Sequence, residues 1–435
     1  MFIPGRIDVI TLGCSKNLVE SEKLLCRLSA KGYTVFHDSP VLQGEFVVVN
    51  TCGFISDAKE ESINLILELT ELKKEKKIGH IIVAGCLSER YKKDLPEEIP
   101  EVDQWYGKFN WNEFIDKLPN LKKSYSKPKL WERQLTTPSH SAYLKISEGC
   151  NRFCAFCAIP LITGRHHSRP IDEILDETRN LVKKGVKEFN IIAQDLSSYG
   201  IDLYGRSALA ELIERLAQTE GVEWIRLHYA YPVDFPEDLL NVMAKYPNVC
   251  KYLDIAFQHI SDKVLTNMQR HISKEETLLL IKKIREKVPG IKLRTTLMVG
   301  FPGEGEEEFN ELLEFVRDQK FERMGAFTYS EEEDTNAARL FRDDITSDTK
   351  SRRLDQLMEL QEEISLQHNQ KLVGTVQKVL IDRIEKDTAY GRTQYDSPEV
   401  DPEVLIYNTD LNPGDFVMVK ITEAYPFELI GQVEE

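Results

Sequence analysis

The first 100 residues repeat one structural unit three times, and this repeat restricts the fold more than any other feature of the chain. Each unit has an apolar run of strand length followed by a segment with helical periodicity, and the three runs are IDVITL, EFVVVN and HIIVAG. Apolar runs that alternate with amphipathic segments indicate βαβ units. The pattern therefore predicts an open parallel α/β sheet in the N-terminal part of the chain.

A cysteine follows each of these predicted strands, just before the next helical segment: Cys14, Cys52 and Cys86. The carboxyl ends of parallel strands share one edge of an open sheet, where ligands bind. We therefore expect three thiols that are distant in sequence to meet in one crevice. A single free cysteine is most often a small buried hydrophobic residue. We interpret Cys26 and Cys250 in that way, because neither belongs to a group.

A second group of cysteines is compact. In EGCNRFCAFCAIP, the residues Cys150, Cys154 and Cys157 fall within eight positions. Dense cysteine runs are typical of iron–sulfur sites, and three protein ligands leave one metal position open for an exchangeable ligand. The alternative is a structural zinc site with His166 or His167 as the fourth ligand. Zinc motifs usually come as two spaced pairs, so the spacing favours a cluster.

The middle of the chain repeats the alternation of strands and helices. Six apolar runs follow one another between about Ala142 and Arg339, from YLKIS to GAFTYS, with helical stretches such as IDEILDETRNLVKKG between them. Six such units predict a barrel or partial (β/α) barrel of parallel strands, with its chemistry at the carboxyl ends of the strands.

The end of the chain has a different pattern, with short strands separated by turns such as NPG and DSPEVDP. This pattern is typical of a small antiparallel β-barrel. The overall fold class is therefore α/β with an all-β end. The predicted divisions are an N-terminal domain over 1–120, a polar linker over 121–140, a central domain over 141–366 and a C-terminal barrel over 367–435.

Charge restricts the class of partner. The formal net charge is −16, and residues 367–435 contain six basic and thirteen acidic side chains. Phosphate backbones are bound by lysine and arginine, so this composition disfavours nucleic acid and suits a basic partner. No apolar run approaches the roughly 20 residues that span a bilayer, and the first residues lack a secretory signal. We therefore expect no membrane contact and a cytoplasmic location, where cysteines stay reduced.

The compact cysteine group resembles the motif of the radical S-adenosylmethionine (SAM) enzymes, in which an aromatic residue, here Phe156, precedes the last cysteine of C-x3-C-x2-C. The resemblance implies a 4Fe–4S cluster on Cys150, Cys154 and Cys157 whose open iron binds the amino and carboxylate groups of SAM. It also implies cleavage of SAM to a 5′-deoxyadenosyl radical, and it makes Phe156 a candidate cofactor contact.

The N-terminal motifs TLGCSKNLVESE, NTCGFISDAKEESI and AGCLSERY resemble those of the methylthiotransferases within this superfamily. The resemblance implies that Cys14, Cys52 and Cys86 hold a second 4Fe–4S cluster, also with an open iron, which carries the sulfur to be transferred. SAM would then act twice, as methyl donor to that sulfur and as the source of the radical. An electron donor is an implied partner.

Two motifs, LGC-x-KNLVxSE and NTCGFIxxAKxES, are most similar to the branch of this family that modifies the β-carbon of an aspartate in ribosomal protein S-twelve of the small subunit. The later motifs GRHHSRP, FQHISDKVL and TTLMVGFPGE, and a terminal barrel similar to the TRAM domain, follow in the family's order. The chain departs from the family at Ser15, where proline is usual, and at His167, where arginine is common. Neither departure removes a cluster ligand.

Two alternatives remain open at this point. One keeps the chemistry but takes an adenosine of transfer RNA as substrate, and it predicts RNA binding that weakens steeply with salt. The other is a non-catalytic iron–sulfur or zinc protein that senses redox state or binds a ribosomal partner. It predicts that SAM is not cleaved.

Further candidate cofactor contacts follow the predicted barrel strands: Gln194, Asp195, Gln258, Gly300 and Gly303. The resemblance implies contacts with the amino group or ribose of SAM at the second of these strands. The alternative for the polar residues is a solvated loop, and for the glycines a turn. Their recurrence at one face of the barrel favours a functional role. The stretch GRHHSRP is either a basic entrance to the site or an exposed polar loop.

Overall fold

The computed structural model describes residues 1–122, 124, 126–407 and 410–434. Residues 123 and 125 of the predicted linker, and residues 408, 409 and 435 of the predicted C-terminal domain, lie outside the described residues. The chain folds as two compact units. Unit 1 comprises Met1–Thr136, Glu148–Asn151 and Cys157–His166, and unit 2 comprises Thr137–Ser147, Arg152–Phe156 and His167–Glu435. The four-part division made from the sequence stays a prediction.

Unit 1 contains a parallel sheet with the strand order β2-β1-β3-β4-β5. Its strands are β1 (Ile3–Thr11), β2 (Thr34–His37), β3 (Gly44–Thr51), β4 (His80–Gly85) and β5 (Gln104–Trp105). Its helices are α1 (Ser15–Lys31), α2 (Ser56–Lys74), α3 (Cys86–Arg90), α4 (Leu95–Glu98), α5 (Trp111–Lys117) and α6 (Ile159–Thr163). The predicted open parallel sheet is confirmed, and the short strands β2 and β5 extend it beyond the three runs recognised in the sequence.

The sheet of unit 1 is covered on both faces, as parallel sheets require. On one face Leu24 and Leu28 of α1 pack against Val9 and Val48, and on the other Ile66 and Leu69 of α2 belong to a second cluster. Fully burying a leucine or isoleucine side chain contributes about 1.5–3 kcal/mol. The apolar stripes of α1 and α2 therefore account for why both helices lie on the sheet.

The segment predicted as a linker is anchored to unit 1 through Glu22 of α1. Arg133 donates to the Glu22 carboxylate at 2.6 Å, and the backbone N–H of Thr136 donates to it at 2.7 Å. The side chains of Glu22 and Arg133 are each 1% exposed. A buried pair of this kind holds the chain in place as far as Thr136.

Unit 2 contains a six-stranded sheet with the order β13-β12-β11-β10-β9-β6, in which all neighbours are parallel. Its strands are β6 (Ser141–Lys145), β9 (Glu188–Ile192), β10 (Trp224–Ala230), β11 (Val249–Ile255), β12 (Lys292–Val299) and β13 (Arg323–Thr328). Two short strands, β7 (Ser147–Glu148) and β8 (His167–Ser168), form a separate pair, and Glu148 of β7 belongs to unit 1. The predicted partial barrel is confirmed.

Helices connect the strands of this sheet and lead out of it. They are α7 (Ile171–Lys183), α8 (Ile201–Tyr204), α9 (Leu209–Ala217), α10 (Asp238–Lys245), α11 (Asp262–Asn267), α12 (Lys274–Lys287), α13 (Glu306–Gln319), α14 (Asn336–Leu340) and α15 (Ser347–Gln370). Within the described ranges, no helix is both long enough and apolar enough to span a membrane.

The C-terminal part of unit 2 is a closed barrel in the order β14-β15-β16-β18-β17. Its strands are β14 (Val376–Glu385), β15 (Thr388–Thr393), β16 (Glu403–Tyr407), β17 (Phe416–Ala424) and β18 (Glu428–Val433). The barrel was predicted to be antiparallel, but β16 and β18 pair in parallel. In the described part of the chain the barrel has five strands. Because strand directions cannot alternate around a closed ring of odd number, one pair must be parallel.

Buried ion pairs join this barrel to the amino ends of the six-stranded sheet. Glu188, at the start of β9, accepts hydrogen bonds from Arg392 at 2.7 Å and from Arg226 at 3.1 Å, and Arg392 also binds Asp382 at 2.6 Å. Burial raises the pKa of Glu188, but Arg392 and Arg226 outweigh it and hold the pKa well below its usual range. Glu188 is therefore ionised and fixes the barrel against the sheet.

We predict that Glu188→Gln lowers the free energy of unfolding of unit 2 by about 3–5 kcal/mol at pH 7, because it leaves buried guanidinium groups without their counter-charge. The folded-state pKa lies below the unfolded value of about 4.3, so this contribution is present above that pH and is lost as the pH falls toward the depressed pKa. Urea unfolding followed by circular dichroism at several pH values measures both effects.

The matched control is Glu223→Gln, because Glu223 pairs with Lys378 at 3.2 Å on the half-exposed surface. Surface pairs contribute about 0–1 kcal/mol. A loss at Glu188 no larger than the loss at Glu223 would contradict the prediction.

Candidate functional site

The three dispersed cysteines lie at neighbouring strand ends of unit 1. Cys14 follows β1, Cys52 follows β3 directly, and Cys86 follows β4 directly. Since β3 lies between β1 and β4 and all three run parallel, these residues share the carboxyl edge of the sheet. This is the edge at which ligands bind in open α/β sheets.

Glycines beside the cysteines let the strand ends approach one another closely. A Cβ atom at Gly13 would lie 2.8 Å from both Cβ and Sγ of Cys52. A Cβ atom at Gly85 would lie 2.6 Å from the backbone N of Thr51, and Gly85 has a φ of +104°, which favours glycine. Each glycine thus leaves the space in which two cysteine-bearing turns meet.

Asn17, which is not among the residues predicted from the sequence, connects all three strand ends. Its Nδ2 donates to the carbonyls of Leu12 and Thr51, both at 3.0 Å, and its Oδ1 accepts from Cys86 Sγ at 3.6 Å. The side chain is buried. A polar residue three positions after the first cysteine was the available signal, but its contacts depend on how the turns meet.

The charge around these thiols is uneven. Burial of its sulfur raises the pKa of Cys14, but Lys16, the backbone N–H of Asn17 and then Lys108 outweigh it and lower the pKa below its usual value. Burial raises the pKa of Cys86 to about 11, although Lys108 opposes the shift. Burial also raises the pKa of Cys52. In the metal-free chain, Cys14 is therefore the first of the three thiols to ionise.

Lys108 is a buried cation beside these cysteines. Its Nζ lies 3.7 Å from Cys86 Sγ and 3.3 Å from a carboxylate oxygen of Glu148. Burial lowers the pKa of Lys108, but Glu148 and the thiols of Cys86 and Cys14 outweigh it, so the pKa lies above its usual value. The ammonium group is therefore charged at neutral pH.

The compact cysteine group is divided between the units: Cys150 and Cys157 belong to unit 1, and Cys154 belongs to unit 2. In unit 2, Cys154 is buried, and its Sγ accepts a hydrogen bond from Arg270 Nη1 at 3.3 Å and lies 3.5 Å from the Tyr231 hydroxyl. Arg270 thus places a cationic donor directly against this sulfur. Arg270 is distant in sequence from the motif, so no sequence pattern points to it.

Asp195 holds the cysteine loop in unit 2 rather than presenting free oxygens. Its carboxylate accepts from Arg152 Nε at 2.8 Å, from the Ser197 backbone N–H at 2.8 Å and from Ser198 Oγ at 2.5 Å. Arg152 lies between Cys150 and Cys154 in the chain. The predicted cofactor contact of Asp195 stays a prediction, while its contact with Arg152 shows how it positions the loop.

Gln258 follows β11 at the carboxyl edge of the six-stranded sheet. Its backbone bridges to β12 through hydrogen bonds with Thr296 and Met298, and its φ is +71°, which is uncommon for a residue other than glycine. Its Oε1 is buried and has no hydrogen-bond partner among the described residues. A buried acceptor of this kind is free to receive a donor from a bound molecule. Gln194 is half-buried after β9, at the same edge.

The two glycines of VGFPGE allow close packing within unit 2. A Cβ atom at Gly300 would lie 2.4 Å from Cγ of Lys350, and one at Gly303 would lie 2.5 Å from Nδ2 of Asn267. Both have positive φ. Packing therefore accounts for both glycines, and their contact with a cofactor stays a prediction. Phe156 packs edge-on against Phe301, with ring centroids 6.3 Å apart, and its cofactor contact also stays a prediction.

The stretch GRHHSRP has both buried and exposed residues. His166 is buried in unit 1, while Arg165 and His167 are exposed. In unit 2, Arg169 pairs with Glu173 and Glu177, so its charge is compensated within the protein. Neither predicted role, basic entrance or exposed loop, describes all of these residues.

The donor set fits iron–sulfur clusters. Over the described parts of the chain, no group of three or more His, Cys, Asp or Glu side chains is arranged to hold a single metal ion. A 4Fe–4S cluster instead takes each thiolate at a different iron, so its ligands need not converge on one point. The turns that carry Cys14, Cys52 and Cys86, brought together by glycines, suit such a group, and so does Cys154 with its guanidinium donor.

Three family models match separate parts of the chain, in the order in which its motifs occur. Residues 144–316 match the radical SAM superfamily, residues 6–107 match the family described as Uncharacterized protein family UPF0004, and residues 373–433 match the TRAM domain.

Similar proteins cover nearly the whole chain. It is 60% identical over 431 residues to the ribosomal protein uS12 methylthiotransferase RimO of Phocaeicola vulgatus, with 99% of both chains covered. It is 58% identical over 432 residues to the protein of that name from Porphyromonas gingivalis, also with 99% of both covered. The protein of that name from Christiangramia forsetii is 50% identical, with 98% of this chain and 94% of that one covered.

Solved structures share the fold at low identity. The radical SAM methyltransferase TsrM from Kitasatospora setae, with cobalamin and a [4Fe-4S] cluster bound, matches with a TM-score of 0.55 and 13% identity, covering 86% of this chain and 81% of that one. The cobalamin-dependent enzyme OxsB, with aqua-cobalamin and SAM bound, matches with a TM-score of 0.51 and 12% identity, covering 82% and 56%. These likenesses show the fold alone.

We predict that in the metal-free, reduced protein at pH 8 iodoacetamide modifies Cys14 at least about tenfold faster than Cys86, because only the thiolate reacts and the pKa of Cys86 is about 11. The rate at Cys86 should rise as the pH approaches 11. Mass spectrometry of peptides from timed samples measures both rates. Cys250, fully buried and with a pKa also raised to about 11, is the internal control. Equal rates at Cys14 and Cys86 at pH 8 would contradict the prediction.

Proposed function

Because the chain belongs to the RimO family of ribosomal protein uS12 methylthiotransferases, we propose that it attaches a methylthio group to ribosomal protein uS12 by radical SAM chemistry. The observation that carries this proposal is the set of three cysteine-bearing strand ends in unit 1, on a chain that also has the C-x3-C-x2-C motif. A radical SAM enzyme needs only the compact motif. The second group of thiols, assembled from distant residues, supports a second cluster and thus sulfur transfer.

The cysteines divide into two sets of cluster ligands. Cys150, Cys154 and Cys157 hold the 4Fe–4S cluster that binds SAM, and Cys14, Cys52 and Cys86 hold the 4Fe–4S cluster that carries the sulfur. With SAM bound, such clusters would supply radical chemistry at an unactivated C–H bond and the methylthio group to attach there. Each set provides three thiolates, so each leaves one iron open for SAM or for sulfur.

Other residues keep these ligands in position. Asn17 fixes the N-terminal strand ends relative to one another, and Arg270 donates to Cys154. Asp195 holds Arg152, and thereby the loop between the first two cysteines of the motif. Gln258 offers its buried oxygen to an N–H or O–H of SAM, because this oxygen has no acceptor role within the described residues.

The charge of the C-terminal barrel supports a basic protein substrate. Arg392 is buried between Glu188 and Asp382, and Arg383 pairs with both Glu403 and Glu385. Arg392 is therefore not available to bind phosphate, and the charge of the half-exposed Arg383 is offset by two carboxylates. Ribosomal proteins are basic because they bind RNA, so an acidic surface attracts them. We place the reaction on the β-carbon of an aspartate of uS12, and in the cytoplasm, where ribosomal proteins are made.

We predict that the reconstituted enzyme, incubated anaerobically with SAM and a reductant, adds one methylthio group to uS12 and none to transfer RNA. Mass spectrometry of both substrates measures the product. The enzyme should contain about eight irons per chain, as two 4Fe–4S clusters require. Cys52→Ala should lower this to about four and abolish the product while SAM is still cleaved, and Cys154→Ala should abolish SAM cleavage.

The matched control is Cys26→Ala, because Cys26 lies within α1 and belongs to neither group. It should keep both iron and product. Modification of transfer RNA instead of uS12 would overturn the substrate, and full activity in Cys52→Ala would overturn the second cluster.

We predict that Gln258→Ala weakens SAM binding about tenfold, because a hydrogen bond from SAM to the buried oxygen is lost. Isothermal titration of the anaerobic protein measures the Kd. The control is Gln361→Ala on α15, another buried glutamine, whose amide donates to the Phe321 carbonyl before β13. Gln361 lies near the amino end of the sheet, so this change should lower stability without changing the Kd. Equal Kd values for Gln258→Ala and wild type would remove Gln258 from the binding site.

A further inference from the structure

The row of strand ends that carries the three cysteines has a fourth member. In the sheet of unit 1, β5 lies next to β4 and runs parallel to it. Lys108 comes three residues after β5 ends, just as Cys14 comes three residues after β1. Along β1, β3, β4 and β5 the strand ends therefore supply three thiols and then an ammonium group.

The backbone fixes Lys108 in this position. Its N–H donates to the Glu89 carboxylate at 3.0 Å. A Cβ atom at the preceding residue, Gly107, would lie 1.9 Å from the same carboxylate, so a larger residue there would displace the Glu89 side chain from this contact. The side chain of Lys108 is only 5% exposed. The lysine is thus held inward by its own turn.

The side chain of Lys108 points to the cysteines and to one carboxylate. Its Nζ lies 3.7 Å from Cys86 Sγ and 3.3 Å from Glu148, which comes two residues before Cys150 in the chain. An ammonium group has three N–H donors, and among the described residues two acceptors lie within hydrogen-bonding or ion-pair distance of it. A third donor remains for a group bound beside the cysteines.

A cluster on these cysteines makes a buried cation useful. A 4Fe–4S cluster with three thiolates is negatively charged in its usual oxidised state, and an anionic sulfur ligand on the open iron adds further negative charge. Bringing like charges together in a protein interior is costly, since the effective dielectric constant is low. A fixed cation lowers this cost without occupying the open iron, because an ammonium group cannot coordinate a metal.

We propose that Lys108 retains the anionic sulfur ligand, a small thiolate such as methanethiolate, at the open iron of the N-terminal cluster by its charge and its free N–H. Lys108 thus lies at the fourth strand end of the row, where a cysteine would supply a fourth thiolate. The proposal rests on the proposed function, because it requires a cluster on Cys14, Cys52 and Cys86. The contrasting role is a structural ion pair between Lys108 and Glu148 with no effect on the cluster.

The test uses the full chain with Cys150→Ala, Cys154→Ala and Cys157→Ala, so that only the N-terminal cluster assembles on reconstitution. Iron analysis comes first and should give about four irons per chain. A chain without iron would overturn the N-terminal cluster, and with it this proposal. With iron present, the remaining measurements address Lys108 alone.

Two measurements are made in this background: the midpoint potential of the cluster, and the Kd for methanethiol from the change in the electron paramagnetic resonance spectrum of the reduced cluster. Lys108→Met should weaken methanethiol binding about tenfold or more. It should also lower the midpoint potential by about 59 mV or more, which is a tenfold change for a one-electron couple. The potential falls because a nearby cation favours the reduced, more negative cluster.

Three further variants separate charge from structure. Lys108→Arg keeps the charge and should retain most of the affinity and potential. Glu148→Gln removes a negative charge and should shift the potential upward. Lys74→Met makes the same charge change at an exposed position of α2, paired with Glu71, and should change neither quantity.

Unchanged affinity and potential in Lys108→Met, with iron retained, would overturn the proposal and leave Lys108 as a structural residue. If Lys108→Met fails to fold or to hold iron, the other variants decide. An upward shift in Glu148→Gln together with near-normal Lys108→Arg supports the proposal. A potential in Glu148→Gln equal to that of the parent chain would overturn it.

Discussion

The parallel pairing of β1, β3 and β4 is the constraint on which the rest of this protein depends. Adjacent parallel strands must end at the same edge of a sheet, so residues that follow them become neighbours whatever their separation in sequence. Cys14, Cys52 and Cys86 meet for this reason. The glycines at positions 13 and 85 then bring the turns closer than any other residue would allow. The site proposed for a second cluster thus depends on sheet topology rather than on a contiguous motif.

The strands could be predicted because their apolar runs are bounded by polar or turn-forming residues. The run HIIVAG coincides with β4, His80–Gly85. The edge strand β5 has only two residues and no such run, so it was missed, and with it the place of Lys108 in the row. Arg270 was missed because its contact with Cys154 spans 116 positions of sequence. Candidate ligands can be recognised from sequence motifs, whereas the residues that position those ligands can be identified only once the tertiary packing is known.

Net charge alone describes the C-terminal barrel incompletely. Its arginines are used internally, since Arg392 lies between Glu188 and Asp382 and Arg383 pairs with Glu403. Burying a charge is costly without a partner, so Arg392 and Glu188 stay paired and hold the barrel on the sheet, whereas Arg383 and Glu403 pair within the barrel. Asp396 and Asp401 of the barrel are also neutralised, by Arg323 and Arg294 of unit 2, so the acidic character presented to a partner comes from the remaining carboxylates. A basic ribosomal protein is a suitable partner for such a surface.

The two groups of cysteines have the same kind of electrostatic contact. Each has a buried cysteine within reach of a buried cation, Cys86 beside Lys108 and Cys154 beside Arg270. A fourth thiolate would complete the coordination of a cluster and close it to exchange. A cation instead offsets the charge of three thiolates and leaves an iron open. With two clusters as proposed, SAM would bind at one and sulfur at the other, and each would need this open position. Lysine and arginine would provide for it differently, because the ammonium can turn toward a changing ligand, whereas the planar guanidinium holds its donors in a fixed geometry.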